Sequence, residues 1–142
     1  MQIQFWSVGK HHDQYVAEGI ADFTKRLNNY FTTSWKIVPP LKNASSLPEP
    51  ELKKKEGEQI LRLLDQHDYL VALDERGKSF TSEKLASFIQ DRANESTRQL
   101  IFLIGGAYGI DTAVTKRANL VWSLSALTFP HQLVRLVLAE QV

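Results

Sequence analysis

The sequence predicts a single α/β domain built on a parallel sheet flanked by helices, and three observations carry that reading. Short apolar segments alternate with longer segments of helical period, the pattern of strand–helix–strand units. The segment Leu100–Ile104 contains no polar residue, as expected of a strand covered on both faces. It runs directly into Gly105-Gly106, with Gly109 just beyond, a composition suited to a tight turn where a strand meets a helix.

Each element follows in order. Ile3–Val8 is an apolar strand ending at Gly9, and its Phe5-Trp6 centre predicts burial on both faces. Asp13 is a candidate N-cap for a helix in which Tyr15, Val16, Ile20, Phe23 and Leu27 recur at helical spacing, with Asn28-Asn29 ending it. Thr33–Val38 reads as a second strand, stopped by Pro39-Pro40. Leu41–Pro50 has no periodicity and reads as a mobile loop. Glu49–Gln66 is a long polar helix turning Leu52, Ile60, Leu61 and Leu64 inward. Its Lys53-Lys54-Lys55 run, with Arg62, suits phosphates or, more simply, a solvated face paired with Glu51, Glu56 and Glu58.

Tyr69–Leu73 is a third strand, with Asp74–Lys78 as its exit loop. Thr81 or Ser82 caps a helix carrying Leu85, Phe88 and Ile89. After Leu100–Ile104 and the glycine turn comes a helical segment, then a strand Leu120–Leu124, an uncharged loop Ser125–Pro130, and an apolar helix from His131. That last helix has Leu133, Val134, Leu136, Val137, Leu138 and Val142 on more than one stripe. It therefore needs cover on several sides, from the sheet and from a second copy of the chain.

At 142 residues the chain is one domain, 1–142, long enough to bury a substantial core. Its 43% hydrophobic and 23% charged content is that of an ordinary soluble globule. It has no cysteine, so disulfides and thiolate metal sites are excluded, in keeping with a reducing cytoplasm. The opening MQIQFWSVGK is too short and polar for a signal peptide, and no apolar run reaches the roughly 18 residues of a membrane span. A net charge of +1 neither predicts nor excludes nucleic acid.

Two strand ends and two loops in the 100–135 stretch converge on one crevice, where open parallel sheets bind ligands. The glycine spacing is neither G-x-G-x-x-G nor a P-loop, so a dinucleotide or triphosphate site fails on spacing. The loop Ser125-Ala126-Leu127-Thr128-Phe129-Pro130 carries no charge. It is either a plain connector or one wall of a pocket for a neutral-to-cationic nucleotide-like group, with Leu127 and Phe129 as apolar walls and Ser125 and Thr128 as polar partners. His131 and Arg135 lie four apart at the start of the last helix. They form either a hydrogen-bonded surface pair or a proton acceptor and an anion holder. Adjacent His11-His12 lacks a third metal ligand, and neither Ser123 nor Ser125 has a nucleophile-elbow frame, so no metal and no serine nucleophile are predicted.

The segments IQFWSVGK, KKKEGEQIL, VALDERGK, FLIGGAYG and WSLSALTFPHQLVRLVLAEQV together resemble the YbeA-type family across the whole chain. These are small SPOUT-class methyltransferases acting on pseudouridine in large-subunit ribosomal RNA. The resemblance implies a C-terminal trefoil knot, a cytoplasmic homodimer joined through the closing helix, and S-adenosyl-L-methionine held in a bent shape. It places the cofactor at Leu73, at Gly105 and along Leu124, Ser125, Ala126, Leu127, Thr128 and Phe129. It implies methyl transfer to N3 of a pseudouridine, with His131 and Arg135 as candidates for moving the imide proton or steadying the uracil oxygens. RNA contact is expected over both subunits, with Lys10, Lys53, Lys54 and Arg135 as candidates. Family members continue beyond the position of Val142 with a tail rich in histidine and tyrosine, so natural sequence past that point is expected to be missing here. A methyltransferase of the same fold acting on tRNA, or a non-catalytic dimeric RNA- or nucleotide-binding module, are the alternatives.

Overall fold

The computed structural model describes residues 1–39, 47–106, 109–125, 127 and 129–142, with the backbone alone for His131. Five strands, β1 (Gln2–Val8), β2 (Thr32–Val38), β3 (Tyr69–Ser79), β4 (Gln99–Ile104) and β5 (Leu120–Ser123), form one sheet in the order β2-β1-β4-β3-β5. Every pairing is parallel, as the alternation with helices requires. The helices are α1 (Gln14–Leu27), α2 (Glu49–Leu63), α3 (Ser82–Asn94), α4 (Thr112–Arg117) and α5 (His131–Gln141).

The strands separate two cores by their period of two. On one face Ile3, Phe5, Leu100, Phe102, Ile104 and Trp122 meet Leu85 and Ile89 of α3 and Leu138 of α5. On the other Trp6, Val8, Ile101, Leu103, Leu70 and Ala72 meet Ile60 of α2 and Val114 of α4. Phe5 and Trp6 thus lie in different cores, which is why that strand is apolar without alternation. Leu61 and Leu64 pack at the margin of the second core. None of the helices formed by the described residues is long and apolar enough to cross a membrane.

Two local details correct the sequence reading, and a third decides between the two caps it offered. Asp74–Lys78 is not a plain exit loop: β3 runs on to Ser79, and both Leu73 and Lys78 pair with Trp122, so residues 74–77 are extruded as a bulge. Charged residues there conceal the strand, because the bulge faces away from both cores. Pairing resumes at Lys78, and the α-carbon of the preceding Gly77 lies so close to β5 that a Cβ would sit 2.5 Å from the Val121 carbonyl oxygen. α2 ends at Leu63, short of Gln66, because the Asp65 carboxylate accepts from the His67 amide at 3.0 Å and Asp68 accepts from the Asp65 amide at 2.9 Å. Those side-chain bonds offer the backbone a turn in place of another helical one. Thr81, not Ser82, caps α3, accepting from the Lys84 amide at 3.1 Å. Most of the expected Leu41–Pro50 loop lies outside the described residues; its end is already helix, since α2 starts at Glu49.

Candidate active site

β4, β3 and β5 are consecutive in the sheet, so their carboxyl ends open side by side. A cavity of about 290 Å³ lies there, lined by Leu73, Asp74 and Glu75 from β3 and Ile104, Gly105 and Gly106 from the end of β4. Gly109, then Leu124, Ser125, Leu127 and Phe129 after β5, and Val134 of α5 complete it. This is near the lower end of the ~300–1,000 Å³ usual for small-molecule sites.

The glycine turn folds onto itself. Gly109 donates to the Gly106 carbonyl at 3.1 Å and has φ +89°, a conformation natural to glycine. A Cβ on Gly105 would lie 2.6 Å from Ile110 and 2.9 Å from the Gly109 backbone. The opposite wall is set by serines: Ser123 Oγ donates to the Ser125 carbonyl at 3.2 Å, and Ser125 Oγ accepts from the Leu127 amide at 3.0 Å. This small turn holds Leu127 at the lip, 71% exposed, so part of the apolar wall faces open space rather than the core.

Of the residues expected around a cofactor, Leu73, Gly105, Leu124, Ser125, Leu127 and Phe129 line the cavity; Ala126 and Thr128 lie outside the described residues. His131 begins α5, and its side chain is likewise outside them. Arg135 does not line the cavity and is no surface residue. It is fully buried, with its guanidinium at the end of β1: Nη1 is 3.2 Å from His12 Nδ1, and Nη2 is 3.8 Å from where a Cβ on Gly9 would stand. Burial lowers the Arg135 pKa, Asp13 opposing, yet a guanidinium remains charged at physiological pH. His12 Nδ1 must then accept, so the ring is neutral. Burial, helped by Arg135 and His11, holds its pKa below the ordinary 6.5.

The charge around the cavity is negative and comes from Asp74 and Glu75 at the end of β3, not from the uncharged loop after β5. Asp74 is clamped by Arg76, Nε to Oδ1 at 3.1 Å and Nη2 to Oδ2 at 2.9 Å. That hydrogen bonding holds its carboxyl below the usual range against the opposing effect of burial, with weaker help from Lys53. Glu56 was read as part of a solvated face. It is half-buried, and its carboxylate oxygens lie 3.0 and 3.1 Å from where a Cβ on Gly106 would stand. Burial raises its pKa. Two sequence signals pointed this way: an acidic pair closing a buried parallel strand, and a glycine, Gly57, inside α2 where Asp111 of the turn before α4 crowds the helix. Among the described residues no group of three or more His, Cys, Asp or Glu is placed to hold a metal ion.

A family model described as "Predicted SPOUT methyltransferase" matches residues 1–142. The chain belongs to the SPOUT methyltransferase family. Relatives named ribosomal RNA large subunit methyltransferase H align over all of this SPOUT chain. The protein of Cytophaga hutchinsonii is 44% identical, with 91% of its own length covered. That of Symbiobacterium thermophilum is 42% identical, also with 91% covered, and that of Streptococcus suis 38% identical, again with 91% covered. As a SPOUT methyltransferase the chain needs a methyl donor.

Proposed function

We propose that this chain uses S-adenosylmethionine to methylate N3 of a pseudouridine in large-subunit ribosomal RNA, as a cytoplasmic homodimer with a knotted C-terminal segment. The observation carrying the donor assignment is the cavity itself: apolar side chains, backbone of a glycine turn, and carboxylates, with no lysine or arginine among its described lining residues. A triphosphate would find no cation there; an adenosyl sulfonium would find apolar walls and a favourable field. The relatives' names, at about 40% identity over the whole chain, support the RNA substrate.

Bound there, S-adenosylmethionine supplies a methyl group already activated on sulfur. The protein's task is then chiefly to position and to exclude water. Leu73, Ile104, Leu124, Phe129 and Val134 form the dry wall. The glycine turn at Gly105–Gly106, which lines the cavity, is proposed to lie against the adenosine. Asp74, fixed by Arg76, offers an acceptor for hydroxyl or ammonium hydrogens. His131, at the start of α5, is proposed to receive the imide proton. Buried Arg135 serves that site indirectly, by locking the first turn of α5 to the β1 end. Lys53, Lys54 and Lys10 are proposed phosphate contacts outside the cavity.

The test is transfer of labelled methyl to assembled ribosomes, isolated large subunits and tRNA, with the modified nucleoside identified by mass. Label appearing on a pseudouridine of the large subunit is expected. Label confined to tRNA would sustain the alternative substrate, and donor binding without transfer to any RNA would argue for a binding module.

A further inference from the structure

Methyl transfer removes a charge. The C–S bond breaks with its electrons left on sulfur, a cationic sulfonium becomes a neutral thioether, and the methyl passes to a nitrogen that gives up its proton. A site that reads this charge holds the donor and lets the spent product go. Glu56 stands where such a reader must be. Its carboxylate lies against the α-carbon of Gly106, a cavity-lining residue, at 3.0 and 3.1 Å from a would-be Cβ. It is half-buried, and among the described residues it has neither a hydrogen bond nor an ion pair. Asp74, by contrast, is neutralised in part by Arg76 at 2.9 Å. An uncompensated carboxylate beside a low-dielectric cavity acts over several ångströms on any charge placed inside.

The geometry points to Glu56 as the residue that makes the cavity prefer the cationic methyl donor over its neutral thioether product. This rests on the donor reading above and adds to it a residue and a mechanism of product release. The carboxylate need not touch the ligand; its field distinguishes two ligands of nearly the same shape.

Three probes separate charge from shape: S-adenosylmethionine with its sulfonium, sinefungin with an ammonium in the corresponding place, and S-adenosylhomocysteine with a neutral sulfur. Affinities are measured by calorimetry at pH 7.5 for the native chain, Glu56→Gln and Glu56→Asp, with thermal melts to verify folding. The two cationic ligands are expected to weaken about five- to tenfold in Glu56→Gln, the neutral one to stay within twofold, and Glu56→Asp to retain part of the preference. Equal weakening of all three, or none, would overturn the assignment, since a merely structural glutamate changes them together. If none of the three binds the native chain, the donor reading itself fails and this inference falls with it.

Discussion

At the scale of single residues, the pairing of His12 with Arg135 couples stability to pH. His12 Nδ1 accepts from a buried guanidinium at 3.2 Å, its ring stands edge-on to Trp35, and Asp13 and His11 are the other charged or titratable neighbours. The folded pKa is below the ordinary 6.5. Above that value both folded and unfolded chains hold the ring neutral; as pH falls through it, the unfolded chain takes up a proton first and folding weakens. Melting temperature is expected to fall between about pH 6.5 and 5, and His12→Asn to flatten that slope. Glu56 shifts the opposite way, upward from 4.5, so its contribution to stability grows as pH falls into the acid range, partly opposing His12 near the lower end of that window. Leu127, 71% exposed at the cavity lip, permits a clean test of charge at the wall. Leu127→Lys is expected to leave stability within about 0.5 kcal/mol. It should weaken the cationic donor about tenfold on titration, while an unchanged affinity would remove this loop from the pocket.

At the scale of elements, the bulge in β3 is the feature on which the site depends. Regular pairing of Tyr69–Ser79 would leave Asp74 and Glu75 in the ladder with β5; extruding residues 74–77 carries both to the cavity. Gly77 makes this possible, because only a hydrogen fits 2.5 Å from the Val121 carbonyl. Gly77→Ala is expected to cost about 1–3 kcal/mol in urea denaturation and to weaken donor binding as the bulge shifts. Loss of stability with donor affinity intact would show that the bulge only shapes the sheet. The glycine turn after β4 has the same logic: a Cβ on Gly105 would lie 2.9 Å from the Gly109 backbone, while Gly109 has open space around it and is required by its φ of +89°.

At the scale of the whole molecule, α5 is covered more fully by its own chain than its apolar stripes implied. Leu136 reaches α1, where its Cδ1 lies 2.8 Å from a would-be Cβ on Gly19, while Leu138 and Val134 face the sheet. The dimer proposed above would therefore draw on the remaining half-buried residues of α5, such as Leu133 and Val137. Leu136→Glu is expected to destabilise the chain by about 2–4 kcal/mol through the lost α1–α5 contact. Denaturation run beside sedimentation checks this, and a stable monomer would instead assign Leu136 to a subunit interface.

The sequence by itself determined the class of fold, the strands in order, and the loops that end at the cavity. Period and composition act over a few residues, and in a parallel sheet the carboxyl ends of strands are where ligands go. Gly105 and the loop residues Leu124, Ser125, Leu127 and Phe129 were legible as cavity lining for that reason, whereas Leu73 came only from the family resemblance. Only the tertiary structure decided that Glu56 presses on the Gly106 turn, that Asp74 and Glu75 face the cavity, and that Arg135 turns away toward His12, 123 positions distant. Those meetings depend on the order β2-β1-β4-β3-β5 and on one strand slipping its register, and crossovers between strands leave no trace in local periodicity.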